Sequence, residues 1–555
     1  MDVSKLKVLI LDDSNVVLSS MRGMLSKIGF NEKSIFFSQS PKTGISIAKR
    51  EVFDLVICDY NFYSTLDGKQ VFEEMKHFDC LKSDALFVVI TGDSSLETVN
   101  ALVELEPDDY LLKPFNQSFL KTRVIQGLKR KQAMKDIYVA RALGDFSQGI
   151  VACDQILPFF PSYYTHIMRE KGRFLRLMLL WEQAQSFYSE LSASNDSDWV
   201  KLGMSNSMKN LGEINKARKV VESILERNPN NVSALKEIAS IEVLSHNIPA
   251  SITHLQAANN LTKGNSEREL VISNLSLSVG DYSSSLDFYK KYVQCNNDTF
   301  RSNNWMKINL IRRMLMQYSE NQESASSLLE IERLMAELLS IDQRSKDLQL
   351  QIDIISAHVL LVQGKYDDFV SLLNSSYKIT SKGECRFHFY DVLYFVWLLS
   401  HCSYDNECKK ISLMLIKAFE NCVVENKNDL NSEIILDSMK LLMESILEIE
   451  GKKSTWLNNK YNLIKGLSRK ESLPVYIEIS KRYPTLVSVR TKIVEYLGDS
   501  WPEGFGKNQV RVLLKQSDDI IRQLSDNSEL KKTTYNQSYN KALSSINGKK
   551  ALVTQ

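Results

Sequence analysis

Residues 54–59 read DLVICD, four consecutive apolar residues closed by an acid. A run with no polar alternation fits a strand buried on both faces of a parallel sheet. The same pattern recurs on either side of it. Residues 7–11 (KVLIL) lead into Asp12-Asp13, residues 85–90 (ALFVVI) into Thr91, and residues 109–112 (DYLL) into Lys113-Pro114. A further short strand fits Ser34–Ser38. Between these runs the spacing becomes helical. Val16, Val17, Met21, Met24, Leu25 and Ile28 recur at three and four residues before Gly29 stops them, and Lys42–Arg50 continues the theme. Strands alternating with helices over this length predict a doubly wound α/β unit.

In such a sheet, ligands sit beyond the carboxyl ends of the strands, and the residues there are Asp12, Asp13, Asp59, Thr91 and Lys113. Three carboxylates gathered together repel one another unless a cation lies among them, and oxygen ligands favour a hard ion such as Mg²⁺. A lysine and a threonine hydroxyl beside them suit an anion. Together they form the inventory for phosphoryl transfer: a carboxylate nucleophile, a metal, and groups that neutralise equatorial charge.

This arrangement resembles the receiver domains of two-component response regulators, which have a flavodoxin-like fold. The resemblance runs over residues 5–129 on Asp12-Asp13, Asp59, Asp67-Gly68, Thr91-Gly92 and Tyr110-Leu111-Leu112-Lys113-Pro114-Phe115. It implies that Asp59 is the phosphoacceptor. It also implies that Asp13, Asp59 and the backbone carbonyl of Asn61 bind Mg²⁺ directly, with Asp12 holding a metal-bound water. Thr91 and Lys113 would contact the phosphoryl group, Tyr110 would be the aromatic switch, and the Lys113–Pro114 bond would be cis. The chain departs from the family between Asp59 and Gly68. There DYNFYSTLDG carries one extra residue and lacks the usual proline, which leaves the phosphoryl lifetime and partner choice open.

From residue 135 to about 300 the chain repeats. Gly144-Asp145-Phe146, Gly212-Glu213-Ile214 and Gly280-Asp281-Tyr282 are spaced 68 residues apart, twice 34. That is the period of tetratricopeptide repeats, whose unit is a helix–turn–helix hairpin. The intervening turns are expected near Met178 and His246. Five residues after each turn stand Gly149, Gln183, Ala217, Ser251 and Ser285, mostly small; nine after stand Cys153, Phe187, Val221, Leu255 and Tyr289, all apolar or aromatic. Pro161 and Pro229 fall where a proline would end the second helix. The resemblance to tetratricopeptide repeats implies about five stacked hairpins with a concave groove for a peptide or helix. Trp199, Leu202 and Gly203 keep the family's first-helix spacing but lie two residues out of phase.

Helical spacing continues beyond residue 300, with another turn expected at Gly364-Lys365-Tyr366, a helix starting near Ser472-Leu473-Pro474 and a loop at Trp501–Gly506. The expected organisation is a receiver over 1–130, repeats over 131–300, a further helical solenoid or bundle over 301–526, and a disordered tail over 527–555. Phe387–Cys402 is the most apolar run, but it is too short for a bilayer and reads as a buried helix. His388, His401, Cys402 and Cys408 lack metal-ligand spacing and read as core.

Lys and Arg total 69 against 67 Asp and Glu, so nothing draws the whole chain to nucleic acid or an anionic membrane. Lys129-Arg130-Lys131 reads as a solvated helix end. The N-terminus lacks a signal peptide's apolar stretch, so a cytoplasmic protein is expected. Neither an enzymatic nor a DNA-binding signature follows the receiver. The architecture resembles the VieB type of response regulator, which implies a histidine kinase as phosphodonor. The implied output is protein binding, with a kinase or a second response regulator as the partner. The alternative is an output enzyme or DNA-binding unit hidden in the C-terminal helices.

Overall fold

The computed structural model describes residues 1–62, 66–321, 325–525 and 534–548. The first element group alternates β1 (Val8–Leu11), α1 (Asn15–Ile28), β2 (Ile35–Ser38), α2 (Pro41–Ala48), β3 (Leu55–Asp59), α3 (Gly68–His77), β4 (Leu86–Thr91), α4 (Leu96–Leu105), β5 (Asp109–Leu112) and α5 (Gln117–Ala133). The strands form one parallel sheet in the order β2-β1-β3-β4-β5. The unbroken apolar runs are explained by burial on both faces. Val8, Ile10, Leu55, Ile57, Leu86, Val88 and Ile90 enter one core with α1 and α5. Leu9, Leu11, Val56, Cys58, Phe87 and Val89 enter another with α2, α3 and α4. Side-chain caps start the helices: Ser14 for α1, Asp67 with Gln70 for α3, Ser95 for α4 and Asn116 for α5. The Lys113–Pro114 peptide is cis.

Helical hairpins follow: α6 (Lys135–Leu143) with α7 (Phe146–Ile156), α8 (Tyr164–Leu177) with α9 (Trp181–Ser192), α10 (Asp198–Asn210) with α11 (Ile214–Arg227), α12 (Val232–Leu244) with α13 (Ile248–Leu261), and α14 (Ser266–Ser278) with α15 (Tyr282–Cys295). Their turns carry left-handed residues at Gly144, Leu179, Gly212, His246 and Gly280. The second turn thus falls one residue later than the 34-residue period places it, and the expected Gln183 and Phe187 give way to Ala184 and Tyr188. With that shift every position five after a turn is small and buried: Gly149, Ala184, Ala217, Ser251 and Ser285. Every position nine after is buried as well: Cys153, Tyr188, Val221, Leu255 and Tyr289. Small residues let the paired helices close up, and Ser205 and Ser251 use the proximity to donate to Ala217 O at 3.3 Å and Ala239 O at 2.9 Å.

The out-of-phase Gly203 has its own reason. A Cβ there would lie 2.3 Å from the buried ring of Tyr188. Gly203→Val is expected to cost about 1–3 kcal/mol through overpacking, read as a lowered midpoint of urea unfolding, while Gly212→Ala meets no atom and carries only backbone strain.

Packing divides the chain into two compact units whose limits differ from the boundaries expected at 130 and 300. The first unit comprises Met1–Ile272, Phe288–Asn303 and Glu425–Ser438. The second comprises Ser273–Asp287, Asn304–Val424 and Met439–Gln555. The difference arises because distant segments return to pack on earlier helices, which sequence order does not disclose. Lys131 also corrects the solvated-end reading. It is 5% exposed, pairs with Asp108 at 2.7 Å and lies over the Tyr138 ring, so α5 runs into α6 through Met134 alone.

The second unit is helical throughout its described residues. The Gly364 turn joins Lys346–Val362 to Tyr366–Lys382, with Phe369 and Leu373 fully buried. Phe389–His401 is a buried helix whose Asp391 pairs with Arg312 at 2.8 Å. His401, Cys402 and Cys408 are buried, but His388 is exposed, because it stands at that helix's N-terminus. The late helix starts earlier than Ser472: Ser468 and Glu471 form a capping box, and Pro474 lies within Arg469–Arg482. The expected tail is corrected over Tyr535–Gly548, an α-helix that buries Tyr535, Ala542 and Ile546; its apolar residues fit a helical stripe that the surrounding polar residues obscure. The rest of that expected tail lies outside the described residues. Among the described residues no helix is long and apolar enough to cross a membrane.

Candidate functional site

The parallel sheet ends four of its strands at one edge, and the polar residues there meet. Asp12 follows β1, Asp59 ends β3, Thr91 ends β4, and Lys113 follows β5. Carboxylate oxygens of Asp12, Asp13 and Asp59 lie within 4.8 Å of one another. Lys113 Nζ donates to Asp12 Oδ2 at 2.7 Å and Asp59 Oδ2 at 3.0 Å. Asp12 and Thr91 are wholly buried, and Asp59 is 6% exposed. Backbone contacts set the frame: Tyr60 N donates to Ile90 O and Lys113 N to Thr91 O, both at 2.8 Å. The start of α3 is drawn tightly under β3. Gly68 N donates to Tyr60 O, and a Cβ on Gly68 would stand 2.4 Å from Asp59 O, so glycine is required by the close approach.

Burial raises the Asp59 carboxyl above its ordinary range; Lys113 draws it back down and Asp12 pushes it further up. Burial works against the Lys113 charge, but its bonds to Asp12 and Asp59 outweigh that and lift its pKa. The Cys58 thiol behind Asp59 is held far above its usual range by burial, then by the neighbouring acids, and so is no competing nucleophile. Lys113 pairs with two of the three carboxylates, and their oxygen-only donor set fits a hard divalent cation.

The structure brings Asp12, Asp13, Asp59 and Lys113 together, with Thr91 on the adjoining strand end. Tyr110, on β5, is 40% exposed. Asn61 follows Tyr60 in the loop after β3; part of the departing segment, residues 63–65, lies outside the described residues. Two features escaped the sequence. Gln39 Nε2 donates to Asp13 O at 2.9 Å. More consequentially, α3 and α4 are gripped from the repeats. Glu104 pairs with Arg268, itself 3% exposed, and accepts from Thr262 Oγ1 at 2.9 Å. Glu73 pairs with Arg301 at 2.8 Å, Glu74 accepts from Phe300 N, and His77 stacks on the Phe300 ring at 3.7 Å. These partners lie more than 150 residues apart, so no local pattern marks them.

Comparison with known proteins agrees with this geometry. The family model described as response regulator receiver domain matches residues 8–125. A probable transcriptional regulator ycf27 of Porphyridium aerugineum is 30% identical over 128 residues, covering 23% of this chain and 50% of that protein. Chemotaxis protein CheY-3 of Vibrio cholerae serotype O1 is 25% identical over 124 residues, covering 21% of this chain and 88% of that protein. The chain thus spans about half the length of the first of these relatives. Among solved structures, a response regulator receiver domain protein from Clostridium thermocellum aligns at 22% identity and a TM-score of 0.21, over 23% of this chain and 97% of that one. A tetratricopeptide repeat protein from Parabacteroides merdae aligns at 11% identity and a TM-score of 0.27, over 45% and 92%. With the strand-end acids, the lysine and the parallel sheet all in place, residues 8–125 are a response regulator receiver domain, placed at the head of a long helical chain.

Proposed function

We propose that this chain is a cytoplasmic response regulator of a two-component phosphorelay, phosphorylated on Asp59 by a histidine kinase, with a protein-binding output formed by its helical repeats. The observation that carries the reading is the acid pocket of Asp12, Asp13 and Asp59 closed by Lys113. An Asp59 carboxylate oxygen attacks the phosphorus of the kinase's phosphohistidine. The new O–P bond forms as the P–N bond breaks, and the electron pair stays on the imidazole nitrogen, which takes up a proton. Asp13, Asp59 and the Asn61 carbonyl would hold Mg²⁺, with Asp12 orienting a metal-bound water; bound there, the cation offsets charge on the transferring phosphoryl oxygens. Lys113 is already ion-paired to the nucleophile and pairs with the phosphoryl oxygen once it arrives. Thr91 supplies a hydroxyl donor.

The grip on α3 and α4 supports a route from this pocket to the helices. Thr91 leads through four residues into α4. A shift of Thr91 towards the phosphoryl group, with Tyr110 turning inward, moves α4 and so the Glu104–Arg268 pair. Ion pairs on both helices, Glu104–Arg268 from α4 and Glu73–Arg301 from α3, suit a joint with two arrangements. The partner would be a kinase or a second response regulator, as in the VieB type that the architecture resembles.

The test compares partner capture from lysate by the wild type and Asp59→Ala, with and without beryllofluoride and Mg²⁺. Capture that responds to activation only in the wild type supports the reading; capture equal in all four conditions overturns the coupling. Arg268→Ala is expected to take phosphate normally from acetyl phosphate yet to capture partner equally in both states. Phosphorylation-dependent capture surviving in Arg268→Ala would remove this route.

A further inference from the structure

The first helices of adjacent hairpins share a face, and on α10 a distant segment of the same chain reaches it. Asn206, Lys209 and Asn210 stand at i, i+3 and i+4 on α10, the spacing that places side chains together on a helix. They converge on the carboxylate of Glu433, which belongs to a segment more than 200 residues further along the chain. Asn206 Nδ2 donates to it at 2.8 Å, Asn210 Nδ2 at 2.9 Å, and Lys209 Nζ lies 3.2 Å away. Glu433 opens the helix Glu433–Leu447. Leu430, three residues earlier, packs against the apolar cluster of the first hairpins, and Ile434 is 4% exposed.

Two details separate this contact from ordinary core packing. Lys209 has a second carboxylate within reach, Glu237 on α12 at 3.6 Å, and also donates to Ser240 Oγ at 2.8 Å. Departure of Glu433 therefore does not strand a buried ammonium. Burial raises the Glu237 carboxyl, with Lys209 drawing it down and Glu433 pushing it up, so Glu237 gains as a partner once Glu433 leaves. In addition, Asn206 Oδ1 is buried with no hydrogen-bond partner among the described residues, on a residue 4% exposed. The resident segment satisfies the donors of the site and leaves this acceptor open.

We propose that the face of α10 and α12 is a peptide-binding site filled in cis by Glu425–Ser438, and that a partner displaces this segment by presenting a helix whose first turn begins with a glutamate, with an apolar residue three positions earlier. A partner with one additional N–H donor at Asn206 Oδ1 outcompetes the resident segment. The inference rests on the reading of the repeats as a binding region; the site itself rests on the contacts above.

The experiment measures fluorescence anisotropy of a labelled synthetic peptide of residues 425–441 with the full-length chain. Glu433→Lys, which sets like charge against Lys209, opens the site in one variant, and Leu430→Ser with Glu433→Gln opens it more gently in a second. An opened chain is expected to bind the peptide at least tenfold more tightly than the wild type, whose own segment competes. Glu433→Gln in the peptide weakens binding by about tenfold, the size of one charge-assisted hydrogen bond, and adding Asn206→Ala and Asn210→Ala to the opened chain abolishes it. Circular dichroism and acetyl phosphate labelling identify which opened chains are folded. Equal binding by wild-type and opened chains, or no binding by a folded opened chain, overturns the proposal. If neither opened chain folds, Glu433 is a structural anchor and the proposal fails equally. Peptide binding without capture of any partner protein would instead refute the output reading and leave the site standing.

Discussion

Asp59→Asn is expected to abolish phosphoryl labelling by acetyl phosphate, whereas Asp54→Asn, at the start of the same strand run, leaves it intact. The two residues differ in surroundings rather than in type. Asp54 pairs with Lys82 at 2.6 Å at the opposite end of β3, far from the other strand-end acids. Asp59 shares its site with Asp12, Asp13 and Lys113. The same substitution has a second consequence. Burial holds the Asp59 carboxyl above its ordinary range, so ionising it in the folded chain is less favourable than in the unfolded one. That strain is absent below the unfolded pKa and grows as the pH rises to the folded one. A divalent cation relieves it. Mg²⁺ at ten times its Kd therefore stabilises the wild type by about 1.4 kcal/mol, and Asp59→Asn loses most of this gain, read as the Mg²⁺-dependent shift in melting temperature. An undiminished Mg²⁺ shift in Asp59→Asn would place the cation elsewhere, and persistent labelling would remove Asp59 as the acceptor.

Mild acid is expected to unfold the second unit, through two histidines that no function claims. His358 is wholly buried between Tyr394 Oη, 2.7 Å from Nδ1, and Ser319 Oγ, 2.9 Å from Nε2. His401 is stacked on the Trp397 ring at 4.9 Å, near the buried Lys453, which pairs with Asp405. Burial first, and then Lys453 and Arg482, lower His401 from 6.5 to about 3. Burial and then His401 hold His358 well below the same value. Both groups are neutral in the folded chain, while the unfolded chain binds protons below pH 6.5. Stability is complete above that pH and falls as the pH drops towards the folded values. For His401 the loss is about 1.4 kcal/mol per pH unit, so moving from pH 6.5 to 4.5 costs on the order of 2–3 kcal/mol, and His358 adds a loss of the same sign. His401→Phe keeps the stack on Trp397 and removes its titration, so stability should fall less steeply over that window. An unchanged pH slope in His401→Phe, measured by urea unfolding at several pH values, would assign the acid sensitivity to other groups.

Much of the receiver was legible because its signals are local. The runs before Asp12, Asp59 and Thr91 are four to six residues of unbroken apolar sequence, and the shorter DYLL precedes Lys113. A parallel sheet places the residue closing each run at one edge, which is why Asp12, Asp59, Thr91 and Lys113 group from the sequence. The repeats were legible through glycine, since a left-handed turn residue is costly for most side chains. The turn expected at His246 stands where the period places it, whereas the reading slipped by one residue where Leu179 takes that conformation without being glycine. There the burial of Ala184 and Tyr188, in place of Gln183 and Phe187, reveals the shifted register.

The amino-acid sequence by itself determined the α/β sheet, its acid pocket and the hairpin period, because each depends on residues that are neighbours along the chain or lie at fixed helical and strand spacing. Only the tertiary structure decided which helices hold the receiver and what covers the repeats. Arg268 finds Glu104 across 164 residues, and Glu433 finds Asn206 across 227. Such pairs are chosen by how stacked hairpins bury their faces and by the need of each desolvated charge for a partner. A charged residue read alone along the sequence looks like any solvated one, as Lys131 did; its burial, and therefore its role, is a property of the packed chain.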